Sequence, residues 1–363
     1  MNSKLYTFIG VEFARGIAAL MVLVSHYAYM VTDSRTFLNF LWTGVDFFFV
    51  ISGFVFAKLI LESSINLSSF FTRRFFRIYP IYFVILLIYF FLAHPHVDKI
   101  YIFFKHLFFL QTVTSKEEAF FFNPAFWSLP VEMEFYLLIP LLSYLTKFKN
   151  SLIIIFFCSI AFKIFLILLS TPNKIDIYAI MSVHLTGLLP EFLVGVFLYK
   201  LIVFTNNKYQ YNKFMLNIVV FILGMIFLYY LSSWFVRYGD TGLSEEKIFG
   251  GFFNFLCALS YAFILFPLSF LNLKNTPKYI INIFISLGSI SYPVYLLHSA
   301  IPKFFQKIKF DIPPFNDENL FIACSMLTIV LSIVIHKYIE EPLRVYGRNL
   351  SKKFEKRTTN VVK

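Results

Sequence analysis

The sequence predicts an all-α polytopic membrane protein with about ten transmembrane helices and both termini in the cytoplasm. Three observations carry the prediction. Hydrophobic residues make up 59% of the 363 residues and charged ones 14%, with a mean hydropathy of +0.73; a soluble domain runs near 45–50% apolar and about 25% charged. Apolar runs of roughly 20 residues recur along the chain, the length a helix needs to cross a bilayer. A barrel strand needs only about 10 alternating residues, so a β-barrel is excluded. Finally, the basic residues are distributed unevenly between alternate connections, as the positive-inside rule requires.

The elements follow in order. Spans are expected at residues 7–30, 37–57, 78–93, 126–146, 151–170, 178–199, 214–234, 248–271, 280–301 and 319–336. With the N-terminus inside, the inner segments hold roughly 20 Lys and Arg and the outer ones about 10, and an even span number returns the C-terminus to the inside. The net charge of +12 is thereby used by topology, and no nucleic-acid partner is expected. The first span contains Arg15 and no small-residue cleavage site follows it, so it reads as an uncleaved helix. The connection 94–125 holds an apolar piece, 101–110, too short to cross and expected to be interfacial or re-entrant. Asn123-Pro124 breaks the chain before the fourth span, and Asp311-Ile312-Pro313-Pro314 marks a turn before the tenth. Residues 1–346 form one membrane domain and 347–363 a basic cytoplasmic tail. Cys158, Cys257 and Cys324 lie in separate spans and read as core thiols. They form no CxxC or Cys/His cluster, so neither metal site nor disulfide framework is expected.

Ionisable side chains inside spans cost at least about 2.5 kcal/mol each and are functional candidates by default. They are Glu12, Arg15, His26, Asp46, Glu132, Glu134, Lys163, Glu191 and His298, plus His184. Arg15 and His26 differ by roughly 20° around a helix and by about 16 Å along it. One face of the first helix thus carries a cation toward the inner side and an imidazole toward the outer side, and together they suggest a lined path across the bilayer. A snorkelling arginine with a satisfied core histidine is the plainer alternative. Asp46 enters the second span at a depth similar to His26 and could orient its ring; helix entry would also explain it. Glu132 and Glu134 cannot share a face, and Glu132 is favoured for the site, with Glu134 turned to a neighbouring helix. Arg74 and Arg77, at i and i+3, can clamp phosphate, although topology alone also explains basic clusters here. His298 is a second imidazole at outer depth, for which an interfacial role is equally available. Lys163 and Glu191 could pair or act independently.

In order along the chain stand Arg15 and His26 eleven residues apart, Gly44-Val-Asp-Phe-Phe-Phe-Val-Ile-Ser-Gly53, Arg73-Arg-Phe-Phe-Arg77-Ile-Tyr-Pro80, Phe126-Trp-Ser-Leu-Pro-Val-Glu132, Ser291-Tyr-Pro-Val-Tyr-Leu-Leu-His298 and Glu341-Pro342. This ordered set, spanning nearly the whole chain, resembles the acyltransferase-3 family of integral inner-membrane O-acyltransferases. The resemblance implies ten core spans in the bacterial inner membrane. It also implies transfer of an acyl group, usually acetyl, from cytoplasmic acyl-CoA to a hydroxyl of an extracytoplasmic glycan. Members of this plain architecture modify O-antigen, lipooligosaccharide, exopolysaccharide or secreted glycosides, so a lipid-linked oligosaccharide is a candidate partner. His26 matches the family's catalytic histidine and Arg15 its motif partner. Arg74 and Arg77 match the pair thought to hold the donor's phosphates, with Arg73 beside them. Asp46 and Glu132 are then expected to support catalysis, and Trp127, Ser128, Tyr292 and His298 to contact substrate. No permanently bound cofactor is expected; acetyl-CoA is a donor substrate.

The mechanism expected is a continuous conduit through which the thioester arm passes from the arginines to His26. There His26, oriented by Asp46, removes the acceptor's hydroxyl proton, or else forms an acyl-histidine. Two other classes fit part of the pattern. A proton-coupled carrier of a glycan or small anion also needs intramembrane charges, but no internal repeat is visible. A non-catalytic assembly subunit would not need them.

Overall fold

The computed structural model describes residues 3–62, 65–169, 184–208, 213–270, 276–308 and 318–361. Among the described residues all regular structure is helical. The principal helices are α1 (Ser3–Tyr27), α2 (Gly44–Glu62), α3 (Leu67–Leu92), α4 (Ser128–Leu145), α5 (Ser151–Leu169), α6 (Leu185–Lys208), α7 (Lys213–Glu245), α8 (Lys247–Leu268), α9 (Lys278–Leu297), α10 (Glu318–Ile335) and α11 (Glu341–Val361). Among the described residues ten helical stretches are long and apolar enough to cross a membrane, as in a multi-pass membrane protein.

Several boundaries differ from the sequence expectation, each for a local reason. The third span begins at Leu67, not 78, because the Asn66 side chain accepts from the Ser69 N–H at 2.9 Å and caps the helix there. Arg73, Arg74 and Arg77 consequently sit on a rigid helix and not in a loop. The connection expected after 234 continues as helix until Gly239, whose φ of 60° kinks the chain. The apolar piece within 94–125 is a short helix, Lys99–Leu107. The tail is also helical: α10 passes through a π turn, His336–Glu340, into α11. The Asp311 turn and the start of the sixth span fall outside the described residues. Cys257 and Cys324 are buried, but Cys158 is exposed on α5 and is no core thiol.

Two close helix crossings position the site. On α1 and α9, a Cβ at Gly16 would lie 2.6 Å from the Leu287 side chain, and one at Gly288 would lie 2.5 Å from the Glu12 carbonyl. Only hydrogen fits at these points, so the two backbones approach closely and run side by side to His26 and His298 at their shared end. On α2 and α6, a Cβ at Gly53 would meet the Phe192 carbonyl at 1.8 Å and one at Gly195 the Val50 carbonyl at 2.0 Å. The wall of α2 is thereby pinned opposite α1.

Candidate functional site

Between these helices lies a cavity of about 480 Å³, walled by α1, α2, α3, α4, α6 and α9. Its floor is cationic: Lys58, Arg74, Arg77 and Arg15 line it, against the carboxylates of Glu12 and Glu132. Arg15 lies 3.4 Å from Glu12, one helical turn away. Arg77 has no carboxylate within ion-pair distance among the described residues. The Arg74 guanidinium stands 4.9 Å from the Phe56 ring centroid and 5.8 Å from that of Tyr136, and its Nε is buried without a hydrogen-bond partner. The two rings thus hold the Arg74 cation at the cavity wall. The remaining walls are mainly apolar and aromatic, interrupted by Ser52, Ser128 and Ser291.

The far end of the cavity is closed. The Tyr295 hydroxyl lies 2.5 Å from Ser128 Oγ and donates to the Ala125 carbonyl at 2.7 Å, and the Phe48 ring packs edge-on against Tyr295 at 5.5 Å. The expected continuous conduit therefore stops at Phe48, Ser128 and Tyr295, and His26 is not part of the cavity wall. The reason is local: a phenol with two oxygen partners at that depth is held across the passage.

One turn beyond Tyr295 on the same chain segment sits His298, and its partner is His26. Nδ1 of His26 and Nε2 of His298 are 2.5 Å apart, with the ring planes 24° apart and the centroids at 4.7 Å, so the two rings meet end-on. His298 is fully buried and His26 half-buried. The end of α9 is fixed by side chains that satisfy its last carbonyls: Tyr89 and Asn123 donate to Leu296, Tyr27 to His298, and His298 Nδ1 lies 2.8 Å from the Tyr295 carbonyl.

The structure redistributes the expected site residues. Arg15, Arg74 and Arg77 come together at the cationic floor. Arg73 turns outward and pairs with Glu355 at 2.9 Å, half-exposed and outside the cavity, because the residue beside Arg74 on a helix points about 100° away. Asp46 does not orient His26. It is buried against α8, where Asn254 donates to it at 2.9 Å, and the imidazole's companion is His298. Glu132 accepts from the Tyr136 hydroxyl and faces the arginines, not the histidines. Trp127 packs on Phe49 away from the cavity wall. Ser128 and Tyr292 do line it, and the Tyr292 hydroxyl donates to the Ile78 carbonyl at 3.1 Å. His298, fully buried behind His26, has no surface to offer an acceptor. Tyr136 and Tyr295 carry roles that sequence reasoning missed; the spacing of Glu132 and Tyr136, one helical turn, was the available signal.

Two further ionisable pairs form, one buried and one half-buried. Lys163 Nζ lies 2.8 Å from Glu191 Oε1, both buried. His184, just before α6, has Nδ1 2.8 Å from Glu134 Oε1 and Nε2 3.1 Å from the Thr112 carbonyl, while Glu134 also accepts from the Leu185 N–H. The Glu134 carboxylate raises the His184 pKa above the usual histidine value, as expected for a ring whose two nitrogens both face acceptors.

The family profile described as an acyltransferase domain, acyltransferase-3, matches residues 8–337. The chain is 24% identical over 288 residues to a protein of Acidianus two-tailed virus named, by inference, as an acetyltransferase, covering 78% of this chain and 80% of the viral one. It is likewise 24% identical over 374 residues to proteins of Staphylococcus aureus strains COL and MSSA476 named, by inference, as O-acetyltransferases; these alignments cover 93% of this chain but only 57% of theirs. No solved structure matches the chain.

Proposed function

The chain belongs to the acyltransferase-3 family and is a membrane acyltransferase, and from that premise we propose that it moves an acyl group, in the simplest case acetyl, from acyl-CoA to a hydroxyl of an extracytoplasmic glycan. The observation that carries this reading is one cavity with a cationic floor at Arg74 and Arg77 and a far end one helical turn from the His26–His298 pair. The cation excess at the floor suits the CoA phosphates, and the apolar walls suit the uncharged pantetheine arm. By the basic bias of the sequence, the arginine end faces the cytoplasm and the protein resides in the cytoplasmic membrane. Donor and acceptor then approach from opposite sides, across about 30 Å of hydrocarbon.

In this mechanism Arg74 and Arg77 hold phosphate oxygens, with Arg15 lining the path of the arm. The Tyr295 ring swings from between Ser128 and Phe48, and the thioester carbonyl reaches His26. His26 takes the acceptor's hydroxyl proton as the oxygen attacks that carbonyl carbon. The carbon–sulfur bond breaks, and the proton passes from His26 to the departing sulfur. Acceptors such as O-antigen, exopolysaccharide or a lipid-linked oligosaccharide all offer the required hydroxyl. Mass spectrometry of surface glycan from cells with wild-type protein, with His26→Ala protein, or without the gene tests the reading. Ester-linked acyl groups are expected only with the wild type. A correctly inserted His26→Ala protein that still acylates fully overturns it.

A further inference from the structure

We infer that His298 is a positioning residue that fixes the tautomer of His26, in a relay that runs from the Tyr295 carbonyl through both imidazoles to the acceptor hydroxyl; this rests on the acyl-transfer reading of His26. The argument is a count of protons. A carbonyl oxygen only accepts hydrogen bonds. Nδ1 of His298, 2.8 Å from the Tyr295 carbonyl, therefore carries a proton. Only one proton fits in the 2.5 Å between His298 Nε2 and His26 Nδ1. His298 is fully buried, and among the described residues no carboxylate pairs with either ring. A second proton would make His298 an uncompensated buried cation, which is costly. His298 is thus neutral, its Nε2 bears a lone pair, and the shared proton belongs to His26 Nδ1.

One consequence decides the chemistry. With Nδ1 protonated, the lone pair of His26 sits on Nε2, the ring nitrogen turned away from His298. Among the described residues this nitrogen has no hydrogen-bond partner, and His26 is the half-buried member of the pair. The base therefore faces the open side. In the opposite tautomer the lone pair would point into His298 and no base would meet the acceptor. As Nε2 takes the hydroxyl proton, His26 becomes an imidazolium whose Nδ1–H still donates to His298. The Tyr295 carbonyl in turn supports His298. When Nε2 returns its proton to the leaving sulfur, both rings are neutral again.

The relay is held by backbone and not by a carboxylate. Tyr27 donates to the His298 carbonyl at 2.5 Å and lies 2.9 Å from Thr328 Oγ1, and this fixes the residue from which the second ring hangs. The same helix end supplies Tyr295, whose side chain closes the donor cavity and whose carbonyl anchors the relay.

The test uses the full chain in nanodiscs with 15N-labelled histidine, the His26 signals being assigned by their loss in His26→Gln protein. The wild type is expected to show His26 protonated at Nδ1. His298→Gln, whose amide oxygen can accept from Nδ1, keeps that tautomer; His298→Leu loses it. With acetyl-CoA as donor, kcat falls roughly 10²–10⁴-fold in His298→Leu and recovers at least tenfold in His298→Gln, while KM for acetyl-CoA stays within about twofold. A wild-type His26 protonated at Nε2, or a tautomer and kcat indifferent to His298, overturns the inference even where the wild type transfers acyl groups. The wild-type spectrum decides the tautomer if His298→Leu fails to fold. Failure of the acyl-transfer reading itself shows separately, as full acylation by His26→Ala.

Discussion

Replacing Arg74 by Gln tests the proposed donor site at the point where the structure is most specific. The Arg74 guanidinium lies between the rings of Phe56 and Tyr136 with a buried, unpartnered Nε. Arg74 lines the cavity, and an anion bound to its guanidinium would gain a charge-assisted hydrogen bond worth about 1.5–3 kcal/mol. At about 1.4 kcal/mol per decade, Arg74→Gln should weaken acetyl-CoA binding roughly 10- to 150-fold. Arg74→Lys keeps the charge but loses the planar fork and the ring contacts, so it should fall between the two. The neighbouring Arg73 is the control. Its pair with Glu355 is 39% and 45% exposed, and exposed pairs contribute about 0–1 kcal/mol. Arg73→Gln should therefore bind acetyl-CoA within about twofold of the wild type. Isothermal titration of detergent-solubilised protein at two salt concentrations reads both numbers. Wild-type affinity in Arg74→Gln, with a loss in Arg73→Gln, would refute the assignment of the cavity to the donor.

Three further outcomes follow from packing and charge. Gly195→Ala places a methyl group 2.0 Å from the Val50 carbonyl and 2.6 Å from the Phe54 nitrogen, so thermal unfolding should show a loss of about 1–3 kcal/mol or more. Gly224→Ala, whose nearest atoms are at 3.0 Å, should cost less. Lys163→Met leaves Glu191 buried and unpaired and should destabilise by about 3–5 kcal/mol, most of it recovered in the Lys163→Met/Glu191→Leu double variant; equal stability of the single and double variants would contradict the pair. For His184 the folded-state pKa is raised by Glu134. Its contribution is thus complete below the ordinary histidine value and is lost as pH rises through the folded one. Melting temperature should decline across that window in the wild type and stay flatter in His184→Gln.

Much of this was legible along the chain because a helix in lipid must be apolar over a fixed length, and because 3.6 residues per turn fix which side chains share a face. The ten spans, the common face of Arg15 and His26, the opposition of Glu132 and Glu134 and the pairing of Arg74 with Arg77 all follow from those two constraints. The outward turn of Arg73 follows as well, once the helix is known to start at Leu67; the Asn66 cap that starts it lies within a polar stretch where hydropathy is uninformative.

Partnership between helices is a different matter. Periodicity gives a residue's depth and direction on its own helix but not which helix stands opposite. Asp46 and His26 have similar depths, yet α2 presents Asp46 to Asn254 on α8. What His26 meets is decided by Gly16 and Gly288, which let α1 and α9 approach until residues 272 positions apart share one proton. The closure at Tyr295 likewise exists only where α4 and α9 bring Ser128 and the Ala125 carbonyl within reach of one phenol. The sequence by itself determined the membrane class, the number of spans and most of the charges within them, since each is set by the solvent. Tertiary structure alone decided which of those charges touch, since contact between distant helices depends on where their backbones can pack closely.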